Sequence, residues 1–336
     1  MASNNQNLPL YETKDNKEKP QHASTMSRQG VFAAVSYMLC AVLLIMFNKA
    51  ALSSYKFPYV NVITLCQMLC SCAFLYVLRR WKIISFTAGE PQGKDTNSKI
   101  LVPLRTVLHT LPLAFSYLIY LIVSMESVRG INVPMYTTLR RTTVAFTMLF
   151  EYLLAGQKHS LSVVGSVGII IFGAIVAGVA DLAFDPHSYA VVFTANICTA
   201  IYLASIARVG KTSGLNSFGL MWCNGLICTP FLLFWTYFSG DLEKTLQFPH
   251  LFSPGFQAVM VLSCLMAFSL NYTVFLNTTR NSALTQTICG NLKDVFTVGI
   301  GWLLFGGLPF DLKNVVGQSL GFLGSCVYAY CKLKGK

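Results

Sequence analysis

The sequence predicts an all-α membrane protein, with ten transmembrane helices in two inverted five-helix repeats. Three observations carry that expectation. Of 336 residues, 54% are hydrophobic and only 11% charged, against roughly 25% charged in an average soluble domain. A soluble chain so poor in charge could not cover its own surface. Apolar stretches of about 20 residues, the length one spanning helix requires, alternate with short polar connections from Val31 onward. A short motif also recurs in the fourth stretch of each set of five, as set out below.

Residues 1–28, Met1 to Arg28, are polar and lack the apolar core of a cleavable signal peptide, so they read as a disordered cytosolic tail. The first half, residues 31–180, holds spans Val31–Leu52, Pro58–Leu78, Thr106–Ser127, Ile131–Leu154 and Leu161–Ala180. The second, residues 188–331, holds Ser188–Ala207, Phe218–Phe238, Phe256–Asn277, Ala283–Gly306 and Val315–Cys331. Residues 332–336 form a short C-terminal tail. Of eleven Cys, most fall inside apolar runs (Cys66, Cys70, Cys72, Cys198, Cys264, Cys326) and read as small packing residues. No disulfide framework or zinc-ligand spacing is visible, and no metal is expected.

Basic residues set the orientation. With a cytosolic N-terminus, seventeen lie on the cytosolic side: Lys14, Lys17, Lys19, Arg28, Arg79, Arg80, Lys82, Lys94, Lys99, Arg105, Lys158, Arg208, Lys211, Arg280, Lys332, Lys334 and Lys336. Four lie opposite: Lys56, Arg129, Lys244 and Lys313. That asymmetry is a strong positive-inside signal with both termini cytosolic. It accounts for most of the net charge of +12 without nucleic acid or another acidic partner.

Four basic residues remain inside spans: Lys49, Arg140, Arg141 and Lys293. At about 1.5 Å per residue, Arg140 lies roughly 13.5 Å and Lys293 roughly 15 Å from the ends of their spans, near the middle of a core about 30 Å thick. A central cation costs at least about 2.5–3.5 kcal/mol. Only Asp294 is a nearby acid, leaving Arg140, Arg141 and Lys293 at net +2, while Glu126 and Glu151 sit near span ends. An anion is therefore expected at the centre. Arg offers a planar fork for two phosphate oxygens and Lys a point charge. The competing structural readings are an arginine pair that ties helices together, a local Lys293–Asp294 pair, and snorkelling of Lys49 to the interface. Gly290 lies one turn before Lys293 and leaves room for a ligand.

The recurring motif is Asn132-Val-Pro-Met-Tyr136-Thr-Thr138, echoed by Asn281-Ser-Ala-Leu-Thr-Gln-Thr287, each opening a cation-bearing span. An odd number of spans per half requires inverted halves, an arrangement common in alternating-access transporters.

Across Asn132–Glu151, with its Arg140-Arg141 pair, the chain resembles the nucleotide-sugar transporters of the drug/metabolite transporter superfamily, most closely their UDP-sugar branch. Asn48-Lys49, Tyr55-Lys56-Phe57-Pro58, Asp181-Leu-Ala-Phe-Asp185 and Asn281-Ser-Ala-Leu-Thr285 extend the likeness over Val31 to Cys331. The resemblance implies a central cavity and antiport of a cytosolic nucleotide sugar against the luminal nucleoside monophosphate. Arg140 falls where phosphate-translocating relatives carry a Lys. Gly290–Lys293, with Asn291 between them, is similar to the region where GDP-mannose carriers hold sugar and phosphate, although there the Lys comes one residue later. Those carriers read guanine with a Phe-Tyr-Asn-Asn stretch. Here Met221-Trp222-Cys223-Asn224 keeps one Asn, which favours uracil, with Trp222 to stack and Asn224 to hydrogen-bond.

The expected substrate-binding set is Lys49, Tyr136, Arg140, Arg141, Trp222, Asn224, Gly290, Asn291 and Lys293. The expected cargo is UDP-N-acetylglucosamine, with UDP-N-acetylgalactosamine beside it, exchanged for UMP across the Golgi membrane. The endoplasmic reticulum is the alternative location. UDP-glucuronate or another UDP-sugar, and a sugar phosphate against phosphate, are the alternative cargoes. No cofactor is expected. Lys332-Leu-Lys334-Gly-Lys336 matches a coat-protein retrieval signal, readable only from the cytosol. A membrane enzyme is disfavoured because no acid–His constellation forms around His109, the His set well inside the apolar region.

Overall fold

The computed structural model describes residues 26–49, 51, 55–87, 102–127, 133–178, 185–305 and 312–335. Regular structure among them is helical. The helices are α1 (Arg28–Lys49), α2 (Val60–Arg80), α3 (Leu104–His109), α4 (Leu111–Ser127), α5 (Val133–Arg140), α6 (Thr143–Ala155) and α7 (Leu161–Gly178). They continue as α8 (Pro186–Thr212), α9 (Ser217–Phe238), α10 (Asp241–Leu246), α11 (Pro254–Arg280), α12 (Ala283–Phe305) and α13 (Leu312–Lys334). One isolated bridge joins Thr87 to Leu215.

Five of these helices, α1, α2, α8, α9 and α11, are long and apolar enough to cross a bilayer, and shorter apolar segments cover Leu111–Ser124 and Leu161–Ala177. Phe32, Phe115, Phe172, Phe231 and Phe234 are exposed on their outer faces. The packed interior holds large apolar side chains such as Phe57, Phe86 and Phe275, and beside them small and polar ones, among them Thr143, Thr147, Asn196, Ser263 and Asn277. This is the distribution expected where lipid replaces water outside and close backbone approach drives helix association.

Caps start several helices where the sequence places a short polar residue. Asp185 accepts from the His187 and Ser188 amides at the head of α8, with Pro186 in the first turn. The Ser188 hydroxyl also bonds the Asp185 carboxylate. These donors hold that exposed carboxyl below the usual range, the Ser188 hydroxyl foremost. Asn216 caps α9 through the Gly219 amide at 2.9 Å, and its own amide reaches the Ser85 carbonyl at 2.6 Å. The loop after α2 is thereby fastened to the start of α9.

Two expected spans are broken. Thr106–Ser127 is divided between α3 and α4 at Thr110, which belongs to neither helix. Ile131–Leu154 is divided between α5 and α6 by a turn at Arg141 and Thr142. There the amides of Arg141, Thr142, Val144 and Ala145 reach back three residues, to Thr138, Leu139, Arg141 and Thr142. This is 3₁₀ tightening at the arginine pair.

The α7–α13 seam brings two helix backbones close together. A Cβ on Gly173 would lie 2.7 Å from the Gly317 carbonyl oxygen, and one on Gly317 would lie 2.6 Å from that of Gly173. The C-terminal end also departs from expectation. The helix α13 runs through Lys332 to Lys334, and Met26 donates to the Lys332 carbonyl at 3.3 Å. Lys332 is therefore part of a packed helix rather than a free tail. The expected N-terminal tail lies outside the described residues up to residue 25, and α1 already begins at Arg28.

Candidate anion-binding site

The break between α5 and α6 sends two adjacent arginines to different neighbours. Asn196 on α8 donates to the Leu139 carbonyl at 2.9 Å and to the Thr142 hydroxyl at 3.1 Å, which fastens the tightened turn to α8. One turn further along α8, Thr199 takes the Arg140 guanidinium at 3.5 Å. The Tyr136 ring lies beneath that guanidinium, 5.8 Å from its carbon, and Tyr120 lies near it as well. Every neighbour so far is neutral.

Arg141 turns to α13. It is 3% exposed, donates to the Gln318 carbonyl at 2.7 Å, and lies against Gly321, where a Cβ would sit 2.4 Å from its Nη1. Its Nε has no partner among the described residues. The structure thus gives Arg141 a contact that ties helices together, whereas the Arg140 guanidinium bonds the Thr199 hydroxyl and lies over the Tyr136 ring.

Lys293 bonds its neighbour Asp294 at 2.6 Å, both side chains being partly exposed. Asp294 also lies near enough to act on Tyr37, Arg140 and Arg141. All four charges therefore share one neighbourhood. Among these described residues one carboxylate stands with three cations, and the local pair engages Lys293. Gly290 keeps an open approach, since a Cβ there would meet only the Tyr37 hydroxyl within 4 Å, at 3.5 Å. Asn291 is buried, and its amide nitrogen has no partner among the described residues. A buried donor of this kind is costly unless something outside the protein occupies it.

The two proposed base readers are engaged elsewhere. Trp222 stacks on Phe86 at 5.6 Å with 21° between planes, and the Arg79 guanidinium lies over the same Phe86 ring at 5.6 Å. Asn224 is buried and accepts from the Cys228 thiol at 3.8 Å. The Lys49 side chain, expected to snorkel or to bind, lies outside the described residues.

Sequence reasoning missed Tyr37, Tyr120, Asn196 and Thr199. Asn196 and Thr199 stand three residues apart in an otherwise apolar stretch, hence on one helical face, and that spacing was a usable signal. Tyr120 stacks flat on Tyr202, at 5.5 Å and 7°, and Tyr117 joins them at 6.1 Å and 5.2 Å. Glu151, placed at a span end by sequence, is fully buried. It accepts from the Ala283 and Leu284 amides at 2.9 Å and 3.2 Å, with His159 Nε2 3.7 Å away. A carboxylate at a helix N-terminus meets both free amides and the positive end of the macrodipole. Its charge thus serves α12 rather than the cations.

The model of the Triose-phosphate Transporter family matches residues 27–329 of this chain. The chain belongs to that family. The Arabidopsis thaliana UDP-N-acetylglucosamine transporter UGNT1 is 65% identical over 313 residues, covering 93% of this chain and 91% of that protein. The Caenorhabditis elegans UDP-sugar transporter sqv-7 is 31% identical over 91% of this chain and 90% of its own length. The Arabidopsis thaliana UDP-galactose/UDP-glucose transporter 7 is 28% identical over 90% of each chain. A crystal structure 11% identical in sequence shares the fold, with a TM-score of 0.59 over 89% of this chain and 95% of that one. Together with the apolar helices, membership of this transporter family makes the chain a multi-pass membrane protein.

Proposed function

We propose that this protein is a nucleotide-sugar antiporter that carries UDP-N-acetylglucosamine, and UDP-N-acetylgalactosamine with it, into the Golgi lumen in exchange for UMP. Both termini face the cytosol in this reading, and the chemistry involves no covalent step. The observation that carries it is the cluster of Arg140, Arg141 and Lys293 around a single carboxylate, Asp294, inside an apolar bundle. The 65% identity to a UDP-N-acetylglucosamine transporter supports the cargo.

Ten spans in two inverted halves follow from the same reading, taking α3–α4 and α5–α6 as one span each and α10 as a connection. The packing pattern supports it. Exchanging the first five spans with the last five turns the α1–α11 contact into α8–α4, α1–α12 into α8–α6, and α2–α11 into α9–α4. All six of these contacts occur. The pairs α2–α9, α6–α12 and α7–α13 map onto themselves and occur as well.

A diphosphate linking nucleoside and sugar carries about −2, and a nucleoside monophosphate nearly as much at neutral pH, since its second pKa is about 6. Either ligand neutralises the cluster. The loaded carrier then crosses between its two open states more easily than the empty one, which gives exchange a physical basis. Reconstituted protein is expected to show UDP-sugar uptake stimulated by internal UMP, and Lys293→Ala to lose exchange while staying folded. Wild-type exchange by that variant removes Lys293 from the mechanism.

A second reading is exchange of small phosphate esters that lack a base. The engagement of Trp222 by Phe86 and of Asn224 by Cys228 favours it. Strong inhibition of uptake by UMP, and weak inhibition by inorganic phosphate, decides for the nucleotide.

A further inference from the structure

A cavity of about 80 Å³ opens between α1, α2, α4 and α11, lined by Leu44, Thr64, Gln67, Met68, Tyr117 and Asn271 among others. It has several times the roughly 10–15 Å³ that a single water needs. None of the nine residues expected at the site lines it.

Its polar groups are uncharged and partly unused. The Gln67 amide nitrogen donates to Asn48 at 3.0 Å and to Ser263 at 2.7 Å, and Ser263 in turn donates to Asn48 at 2.6 Å. This triad joins α1, α2 and α11 and fixes the Gln67 side chain, leaving its carbonyl oxygen free for the cavity. Asn271, on the α11 wall, has no hydrogen bond within the described protein, and the Thr64 hydroxyl donates only to its own helix, at the Val60 carbonyl. Inside a membrane such carboxamides call for a polar occupant. Tyr117 forms one side, and its ring lies 6.1 Å from that of Tyr120, which neighbours Arg140. The cavity is therefore one aromatic pair away from the cation that would hold a phosphate.

Resting on the antiport reading above, the geometry points to this cavity as the pocket for the acetamido group of the cargo hexose, a size its 80 Å³ suits, with Asn271 and Gln67 selecting an N-acetylhexosamine. Carboxamides complement an acetamido group, which both donates and accepts. The Tyr117 face suits the C–H side of a pyranose ring. Nothing charged lines the cavity, so a uronate carboxylate finds no partner there. The discriminating residues sit on α2 and α11, outside the nine residues expected at the site.

The test measures inhibition of labelled UDP-N-acetylglucosamine uptake into UMP-loaded proteoliposomes by three ligands. These are UDP-N-acetylglucosamine, UDP-glucose, which lacks the acetamido group, and UMP, which lacks the sugar. Wild type should prefer the first over the second. Asn271→Leu should cut that preference about tenfold, the scale of a lost selective hydrogen bond, and leave UMP inhibition unchanged. Thr64→Val on the facing helix should shift the preference in the same direction. It carries the test under the same criteria if Asn271→Leu is not stabilised by UMP against heat. No preference in wild type, an unchanged preference in the folded variants, or a parallel loss of UMP inhibition overturns the subsite. Absence of any UDP-sugar uptake or UMP inhibition in wild type is the separate failure of the antiport reading.

Discussion

Arg140 and Arg141 are neighbours in sequence but bond different helices. Arg140 reaches Thr199 on α8 at 3.5 Å, and Arg141 reaches the Gln318 carbonyl on α13 at 2.7 Å. The 3₁₀ turn between α5 and α6 separates them, and Asn196 holds that turn at Leu139 and Thr142. One arginine is left facing neutral hydroxyls while the other is bound into the scaffold. Their variants should therefore fail in different ways.

Arg141→Ala removes a charged hydrogen bond worth about 1.5–3 kcal/mol, and its loss should appear as a lower unfolding temperature in detergent. Arg140→Ala should retain most of the wild-type unfolding temperature and lose exchange. Thermal unfolding and counterflow, measured on the same preparations, separate the two.

The Asp294 carboxylate tempers Lys293 at 2.6 Å. Asp294→Asn raises the charge of the cluster, so UMP should bind more tightly and leave more slowly. Half-maximal UMP inhibition is expected at lower concentration, with slower maximal exchange. An unchanged affinity would show that Asp294 does not act on the ligand.

Glu151 closes the head of α12 from the other half of the chain, through Ala283 and Leu284. Glu151→Gln keeps one acceptor and turns an amide donor against backbone N–H groups, leaving a buried donor unpaired at a cost of about 1–3 kcal/mol. Chemical or thermal unfolding should show that loss, and Glu151→Ala should lose more.

At the α7–α13 seam, a methyl at position 317 would lie 2.6 Å from the Gly173 carbonyl. Gly317→Ala should destabilise by about 1–3 kcal/mol through overpacking, with UMP affinity unchanged in the protein that remains folded.

Much of this was legible in the sequence because lipid imposes a crude rule. Long apolar runs mark α1, α2, α8, α9 and α11, and a cation within such a run marks Arg140 or Lys293. What apolarity does not encode is a change of helical period, so the turn at Arg141 and Thr142 was read as continuous helix. Directions were equally hidden. Adjacent helical positions point about 100° apart, yet the long Lys293 stem folds back onto Asp294. Trp222 looked free to stack on a base because Phe86, its partner in the structure, arrives from a loop 136 residues earlier in the chain. Glu151 seemed peripheral for a similar reason, since its partners are backbone amides 132 and 133 residues away. Contacts of that range leave no local trace.

The most direct test compares binding of UMP and of uridine to purified protein, in wild type and in Arg140→Gln. If unpaired positive charge drives recognition, UMP should bind wild type at least about a hundredfold more tightly than uridine, near 2.7 kcal/mol, and the variant should lose most of that gap. Comparable binding of uridine, or a gap that survives in Arg140→Gln, would contradict the account.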